Sequence, residues 1–106
     1  MYKHFGRIIR AADGTVKKNV EFKDTNDEEK KVKELNMALY AFNAKWLWDN
    51  IDKLKNKNAQ NEYYLTDLIQ IASEQNQKIE AVVVTNIIEA IHPNSKAELE
   101  ILEKFA

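Results

Sequence analysis

The chain has 106 residues, of which 44% are hydrophobic and 31% are charged, and its net charge is −1. This balance is typical of one globular domain, or of one piece of a larger domain, and excludes a disordered chain. The absence of cysteine excludes disulfides and thiolate chemistry and suits a reducing cytoplasm, so we expect a cytoplasmic protein. The dispersed lysines and arginines argue against nucleic-acid binding, and no apolar run reaches the length of a membrane span.

Gly6 and Gly14 are the only two glycines in the sequence. A loop that binds nucleotide phosphates needs several glycines, because the backbone must approach the anion closely. The chain therefore encodes no such loop, and any nucleotide phosphate site must lie elsewhere.

The first third of the chain predicts a β-hairpin over residues 4–23. Its segments FGRIIR and TVKKNVEFK are separated by AADG, and Gly14 accepts the positive φ that a hairpin turn needs. The polar run DTNDEEKKVKEL that follows predicts either a short helix capped by Asp27 or a solvated loop.

The segment NMALYAFN, residues 36–43, is compatible with two structures. Its alanine, leucine and methionine fit a helix that runs from residue 28 to residue 55, and its alternation fits a buried strand. Periodicity alone cannot decide between them for a run this short.

The remaining segments alternate between helical and extended patterns. An amphipathic helix is predicted for AKWLWDNIDKL, a second helix for EYYLTDLIQIASEQN, and a last helix for SKAELEILEKFA, where Ser95 and Glu98 have the spacing of a capping box. The apolar run in KIEAVVV predicts a strand buried on both faces. The helices present the following apolar residues: Leu47, Trp48, Ile51 and Leu54 in the first, and Leu65, Leu68, Ile69 and Ala72 in the second.

Four segments, in order, resemble motifs of the bacterial N-acetylglucosamine-1-phosphate uridyltransferases. These segments are FGRIIR, NVEFKDTNDEEKKVKELN, NAQNEYYLTDLIQIA and HPNSKAELEILEKF, and together they cover nearly the whole chain. The resemblance implies an α/β fold, in which this chain would be an α+β fragment that forms half of a Rossmann-like sugar-nucleotidyltransferase domain. The fragment would begin with the β-hairpin and continue with alternating strands and helices, and residues 36–43 would form a buried strand.

The resemblance implies a single domain over residues 1–106 that is the sugar-binding half of the nucleotidyltransferase domain. In the family, the Gly-rich nucleotide loop and a metal-binding aspartate precede this region, so we expect Met1 to be an artificial start. The parent reaction would convert UTP and N-acetylglucosamine 1-phosphate to UDP-N-acetylglucosamine and pyrophosphate, a step of bacterial cell-wall biosynthesis.

The resemblance also implies which residues contact substrate and metal. Mg²⁺, which prefers oxygen ligands, would take Asn94, with its carboxylate ligand absent from this chain. Met37 and Ala38 stand where the family usually has a small polar residue and glycine, which adds bulk beside the sugar. The implied sugar-binding residues are Gly6, Glu21, Asn36, Glu62, Tyr64 and Thr66.

Each of these residues also has a purely structural explanation. Gly6 would then end a strand, Glu21 would be a solvated acid, and Asn36 and Asn94 would be turn or cap residues. Thr66 would cap a helix and Tyr64 would pack in the core, with Tyr63 and Leu65 as further packing residues.

Three functions remain open at this point. The chain is a fragment of a sugar-1-phosphate nucleotidyltransferase, or a related transferase for another hexose phosphate, or a non-catalytic module for protein contacts. We expect the chain alone to be inactive, because half of an active site cannot bind UTP productively. We also expect a homodimer through exposed sheet edges, since the strand AVVV has no obvious cover.

Overall fold

The computed structural model describes residues 4–106, so the prediction for Met1 concerns a residue outside the described part of the chain. These residues form a small α+β domain with one two-stranded antiparallel sheet and four α-helices. The strands are β1 (Arg7–Arg10) and β2 (Val16–Val20), and the helices are α1 (Asp27–Lys30), α2 (Ala44–Asn50), α3 (Leu68–Glu74) and α4 (Lys96–Glu103). The α+β class is thus as predicted, and the Rossmann-like half-domain stays a prediction.

The predicted hairpin is confirmed, and its turn follows from local chemistry. Gly14 adopts a φ of 87°, which an L side chain rarely adopts, and the Asp13 carboxylate accepts hydrogen bonds from the backbone N–H and the hydroxyl of Thr15. A further short segment runs beside β1, where the N–H of Ile8 donates to the carbonyl of Glu34 at 2.9 Å.

The core lies where α3 packs across β2. Leu68 is fully buried, and Ile69 and Ala72 on the same helix are buried with it against Val16 of the hairpin. Their i, i+1, i+4 spacing places them on one helical face, as the sequence predicts. Leu65 is 46% exposed instead, because residues Leu65–Asp67 form a 3-10 turn before α3 and turn its side chain out of that face.

Helices α1 and α2 differ from their predictions in detail. The cap of α1 is Asn26, not Asp27: its side chain accepts from the N–H of Glu29 at 2.8 Å, and the Glu29 carboxylate accepts from the Asn26 N–H at 3.0 Å. Helix α2 ends at Asn50 and continues as a 3-10 turn over Ile51–Lys53. Trp48, predicted on its apolar face, is 67% exposed.

The interior-facing tryptophan is Trp46, which belongs to a polar network between α2 and α3. Its indole N–H donates to the side-chain carbonyl of Gln75 at 2.8 Å, and the Gln75 amide donates to Asn50 at 2.7 Å. Asn50 is only 4% exposed and also donates to the Trp46 carbonyl at 2.7 Å. Because each polar group has a partner, the network fixes α2 against α3.

The predicted strands at 36–43 and 78–84 are wrong. Both segments lack regular secondary structure, and Leu39 and Val82 are each 90% exposed. A buried strand needs a neighbouring strand for its backbone groups and a cover for each face. Within residues 4–106, the sheet has two strands and offers neither to these segments.

The last helix has half of the predicted capping box. Ser95 accepts from the N–H of Glu98 at 3.2 Å, but the Glu98 carboxylate accepts from the N–H of Asn94, one residue earlier than the motif requires. No helix in the described part of the chain combines the length and apolar character needed to cross a bilayer.

Candidate functional site

An open cleft of about 850 Å³ lies between the end of β2, the loop after α2 and the start of α3. The residues that line it include Glu21, Tyr64 and Asp67, which we call the wall of the cleft, and the lysines of the segment 53–57. The cleft exists because α3 packs on β2, which brings the residues that precede α3 against the end of the hairpin.

Glu21 and Thr66 meet directly at this wall. The Thr66 hydroxyl donates to Oε1 of Glu21 at 3.1 Å, although 45 positions separate them in the chain. The side-chain amide of Asn19 donates to the same oxygen at 3.0 Å. Two donors thus hold one carboxylate oxygen, and the predicted cap role of Thr66 is wrong, because its hydroxyl serves Glu21 and α3 has no side-chain cap.

Gly6 and Asn36 lie next to this cluster. The Asn36 N–H donates to the Gly6 carbonyl at 2.9 Å, which pairs the two backbones. A Cβ on Gly6 would lie 2.6 Å from Oδ1 of Asn19, so the glycine is also required by the packing of Asn19. The Asn36 side chain accepts from the N–H of Ala38, whose φ is 59°, in the left-handed region.

Tyr64 adds a phenol to the same wall. Its hydroxyl accepts from the Gln60 amide at 2.8 Å, and burial raises the pKa of Tyr64, with Asp24 and Glu21 acting in the same direction. Burial, followed by the charges of Asp24 and Glu21, also raises the pKa of Asp67. The wall thus places the carboxylates of Glu21 and Asp67 and the phenol oxygen of Tyr64 side by side, and each of these groups can accept hydrogen bonds from a ligand donor.

Glu62 stands apart from this wall. It is exposed, and its backbone bonds to the side chain of Asn58: the Glu62 carbonyl accepts at 2.6 Å, and its N–H donates at 3.2 Å. The neighbouring Tyr63 is 68% exposed, so the predicted packing role of Tyr63 is wrong.

Asn94, the predicted magnesium ligand, is exposed and lies in a segment without regular secondary structure. Its amide donates to the carbonyl of His92 at 3.2 Å, and Nε2 of His92 lies 3.0 Å from the carbonyl of Met37, the residue after Asn36. Residues 4–106 contain no cluster of three acidic, histidine or cysteine side chains that could hold a metal. One amide oxygen does not make a magnesium site, so the role of Asn94 stays a prediction.

Asn19 is the site residue that the sequence analysis missed. Asparagine is depleted in strands, so its position near the end of a strand beside Glu21 is a signal that could have identified it. The arrangement as a whole can orient a ligand rich in hydroxyl groups, because a held carboxylate accepts hydrogen bonds in a fixed direction.

Comparison with known proteins agrees with the motifs. The chain is 50% identical over 95 residues to the bifunctional protein GlmU of Clostridium acetobutylicum, 48% identical to that of Clostridium novyi and 47% identical to that of Clostridium botulinum. Each match covers 90% of this chain and 21% of the relative, so the chain spans about a fifth of the length of these proteins. No family model matches the chain. The resemblance to the uridyltransferase family is confirmed, and the chain is a relative of one segment of the bacterial GlmU proteins.

Proposed function

We propose that this chain supplies the sugar-binding wall of a sugar-1-phosphate nucleotidyltransferase. In the parent reaction, N-acetylglucosamine 1-phosphate would attack the α-phosphorus of UTP, and pyrophosphate would leave. Such transfers depend on positioning and charge neutralisation more than on covalent help from the protein. The contribution of this segment would be to bind and orient the sugar.

The hydrogen bond between Thr66 and Glu21 is the observation that carries this proposal. It joins two residues that the family motifs independently assign to the sugar, and Tyr64 lies in the same cleft. Sugar hydroxyls are donors, and an ionised carboxylate can accept several hydrogen bonds at its two oxygens. A carboxylate at the cleft wall is therefore a suitable partner for a hexose.

The proposal includes no reaction step at a magnesium ion. Asn94 would offer one amide oxygen, and the remaining ligands would come from substrate, water and residues outside this chain. We therefore assign to the chain only the binding of the sugar phosphate.

An NMR titration with N-acetylglucosamine 1-phosphate tests the proposal. We expect shifts at Glu21, Asn36 and Tyr64, and we expect Glu21→Gln to weaken binding about tenfold, since a hydrogen bond to a charged group contributes roughly 1.5–3 kcal/mol. The matched control is Glu100→Gln, an exposed acid on α4. Glucose 1-phosphate, which lacks the acetamide, tests the alternative of another hexose phosphate.

Absence of shifts at these three residues at millimolar ligand would remove the sugar site. Equal affinity for the two sugar phosphates would instead favour the related transferase. Shifts confined to the exposed lysines would indicate nonspecific attraction of the phosphate.

Self-association is a second proposal, favoured by apolar side chains that lack cover. Val82 and Val83 are 90% and 76% exposed in a segment without a strand ladder, so contact would occur through apolar surface and not through a sheet edge. Sedimentation should show a concentration-dependent dimer that Val82→Lys weakens. A monomer at millimolar concentration would contradict it.

A further inference from the structure

Asn19 occupies a place where an apolar side chain would be expected. It lies in β2 opposite Ile8 and is only 5% exposed. Its Nδ2 donates to Glu21, but its Oδ1 is buried without a hydrogen-bond partner among the described residues. A buried acceptor that is left unpaired has lost its hydration without compensation. Stability alone therefore does not explain this residue.

The orientation of the Asn19 amide follows from its neighbours. Nδ2 faces Oε1 of Glu21 at 3.0 Å, and the reverse orientation would place two oxygens in repulsive contact. In the observed orientation, Oδ1 points toward Gly6, 2.6 Å from where a Cβ would stand. Asn19 thus spans the space between Gly6 and Glu21, two residues of the proposed sugar site.

Only one of the two carboxylate oxygens of Glu21 accepts hydrogen bonds from the described residues. Asn19 and Thr66 both donate to Oε1, at 3.0 and 3.1 Å. Among residues 4–106, no donor is seen at Oε2. One oxygen therefore fixes the side chain, and the other is left for a ligand donor.

We propose that Asn19 is a positioning residue of the sugar site, which holds Glu21 together with Thr66 so that its second oxygen receives a sugar hydroxyl. This inference rests on the proposed function for the identity of the ligand. The holding of Glu21 by Asn19 is independent of any ligand and can be measured without one.

The test compares Asn19→Leu with the wild-type chain in three measurements. Leucine has the same branched arrangement of heavy atoms without a donor or a buried unpaired acceptor, so we expect the melting temperature to stay the same or to rise. The carboxyl carbon resonance of Glu21 in the ligand-free chain should shift, because one of its two donors is lost. Affinity for N-acetylglucosamine 1-phosphate should fall about tenfold. A residue with a merely structural role would instead lower the melting temperature and leave the Glu21 resonance unchanged.

Matched variants make the result specific. Thr66→Val removes the second donor and should shift the Glu21 resonance in the same way as Asn19→Leu. Thr66→Ser keeps the hydroxyl and should leave the Glu21 resonance as it is in the wild-type chain. Thr25→Val removes a hydroxyl that donates to the Phe22 carbonyl and should leave Glu21 unchanged. If Asn19→Leu does not fold, Asn19→Asp keeps the shape and replaces the donor with an oxygen.

The outcomes separate this inference from the proposed function. An unchanged Glu21 resonance in the folded Asn19 variants overturns the inference. A shifted resonance in a chain that binds no sugar phosphate supports the positioning of Glu21 by Asn19. The same result overturns the proposed function, because the positioned carboxylate would then have no sugar ligand. A shifted resonance with unchanged affinity for the sugar phosphate also overturns the inference, because Glu21 would then be held without consequence for the ligand.

Discussion

Replacement of Gly6 by alanine tests how closely packing and binding are joined at the proposed site. The added Cβ would lie 2.6 Å from Oδ1 of Asn19 and 3.2 Å from the carbonyl oxygen of Val20. The Asn19 side chain can rotate away, but the Val20 carbonyl belongs to the backbone of β2 and has little freedom to move. The substitution must therefore displace Asn19, shift the hairpin, or do both.

The steric clash and the displacement of Asn19 together set the expected loss of stability. Overpacking by one methyl costs about 1–3 kcal/mol, and an Asn19 amide that is displaced and left without its bond to Glu21 costs about 1 kcal/mol more, a cost that an apolar replacement of Asn19 would not carry. We expect Gly6→Ala to lower the free energy of unfolding by roughly 2–4 kcal/mol. For a chain of this length, even the lower figure corresponds to a fall of about 8 °C in melting temperature.

The assay is thermal and urea unfolding of Gly6→Ala beside Gly14→Ala. Gly14 has a φ of 87° and no atom within 4 Å of its Cβ position, so alanine there adds backbone strain of about 1 kcal/mol without a clash. The Gly14 variant should leave the Glu21 resonance unchanged. Equal stability of the two variants would refute the steric reasoning, as would an undisturbed Glu21 in the Gly6 variant.

Three further predictions follow from other parts of the chain. Burial raises the pKa of Tyr40 to about 12, so the phenol loses its proton at a lower pH in the unfolded chain than in the folded chain. The free energy of unfolding should therefore fall as pH rises from about 10 to about 12. Tyr40→Phe should flatten this pH dependence in urea titrations, and an unchanged slope would contradict the prediction. Gln75→Leu leaves the Trp46 indole N–H unpaired and removes a donor to Asn50. The free energy of unfolding, followed by tryptophan fluorescence, should fall by about 1–3 kcal/mol. A fall of less than about 0.5 kcal/mol would show that water replaces the amide. The chain alone should form no UDP-N-acetylglucosamine from UTP and the sugar phosphate, and measurable turnover would refute the assignment of only the sugar wall to it.

Local signals predicted the elements whose structure is determined locally. The hairpin follows from Asp13 and Gly14 at its turn, and α3 follows from the spacing of Leu68, Ile69 and Ala72. In both cases, the information lies within a few consecutive residues.

The two predicted strands failed because a strand depends on what lies beside it. The apolar run at Val82 and the alternation at Leu39 describe segments that could be buried, but the described residues provide no ladder or cover for them. The cluster at Glu21 was predictable only through the family motifs, since the contact with Thr66 crosses 45 positions. Asn19 was missed because its role depends on the carboxylate of Glu21 and on the space that Gly6 leaves, which come together only in the folded chain.

The contact between Glu21 and Thr66 has a thermodynamic consequence for any ligand that uses it. Neither the hairpin nor α3 carries the pair alone, so the binding surface exists only in the cooperatively folded chain. Ligand occupancy and folding are then linked: a ligand at a hundred times its Kd should add about 2.7 kcal/mol to the free energy of unfolding. A peptide of the hairpin alone should bind nothing, and a rise in melting temperature with ligand concentration would report formation of the site itself.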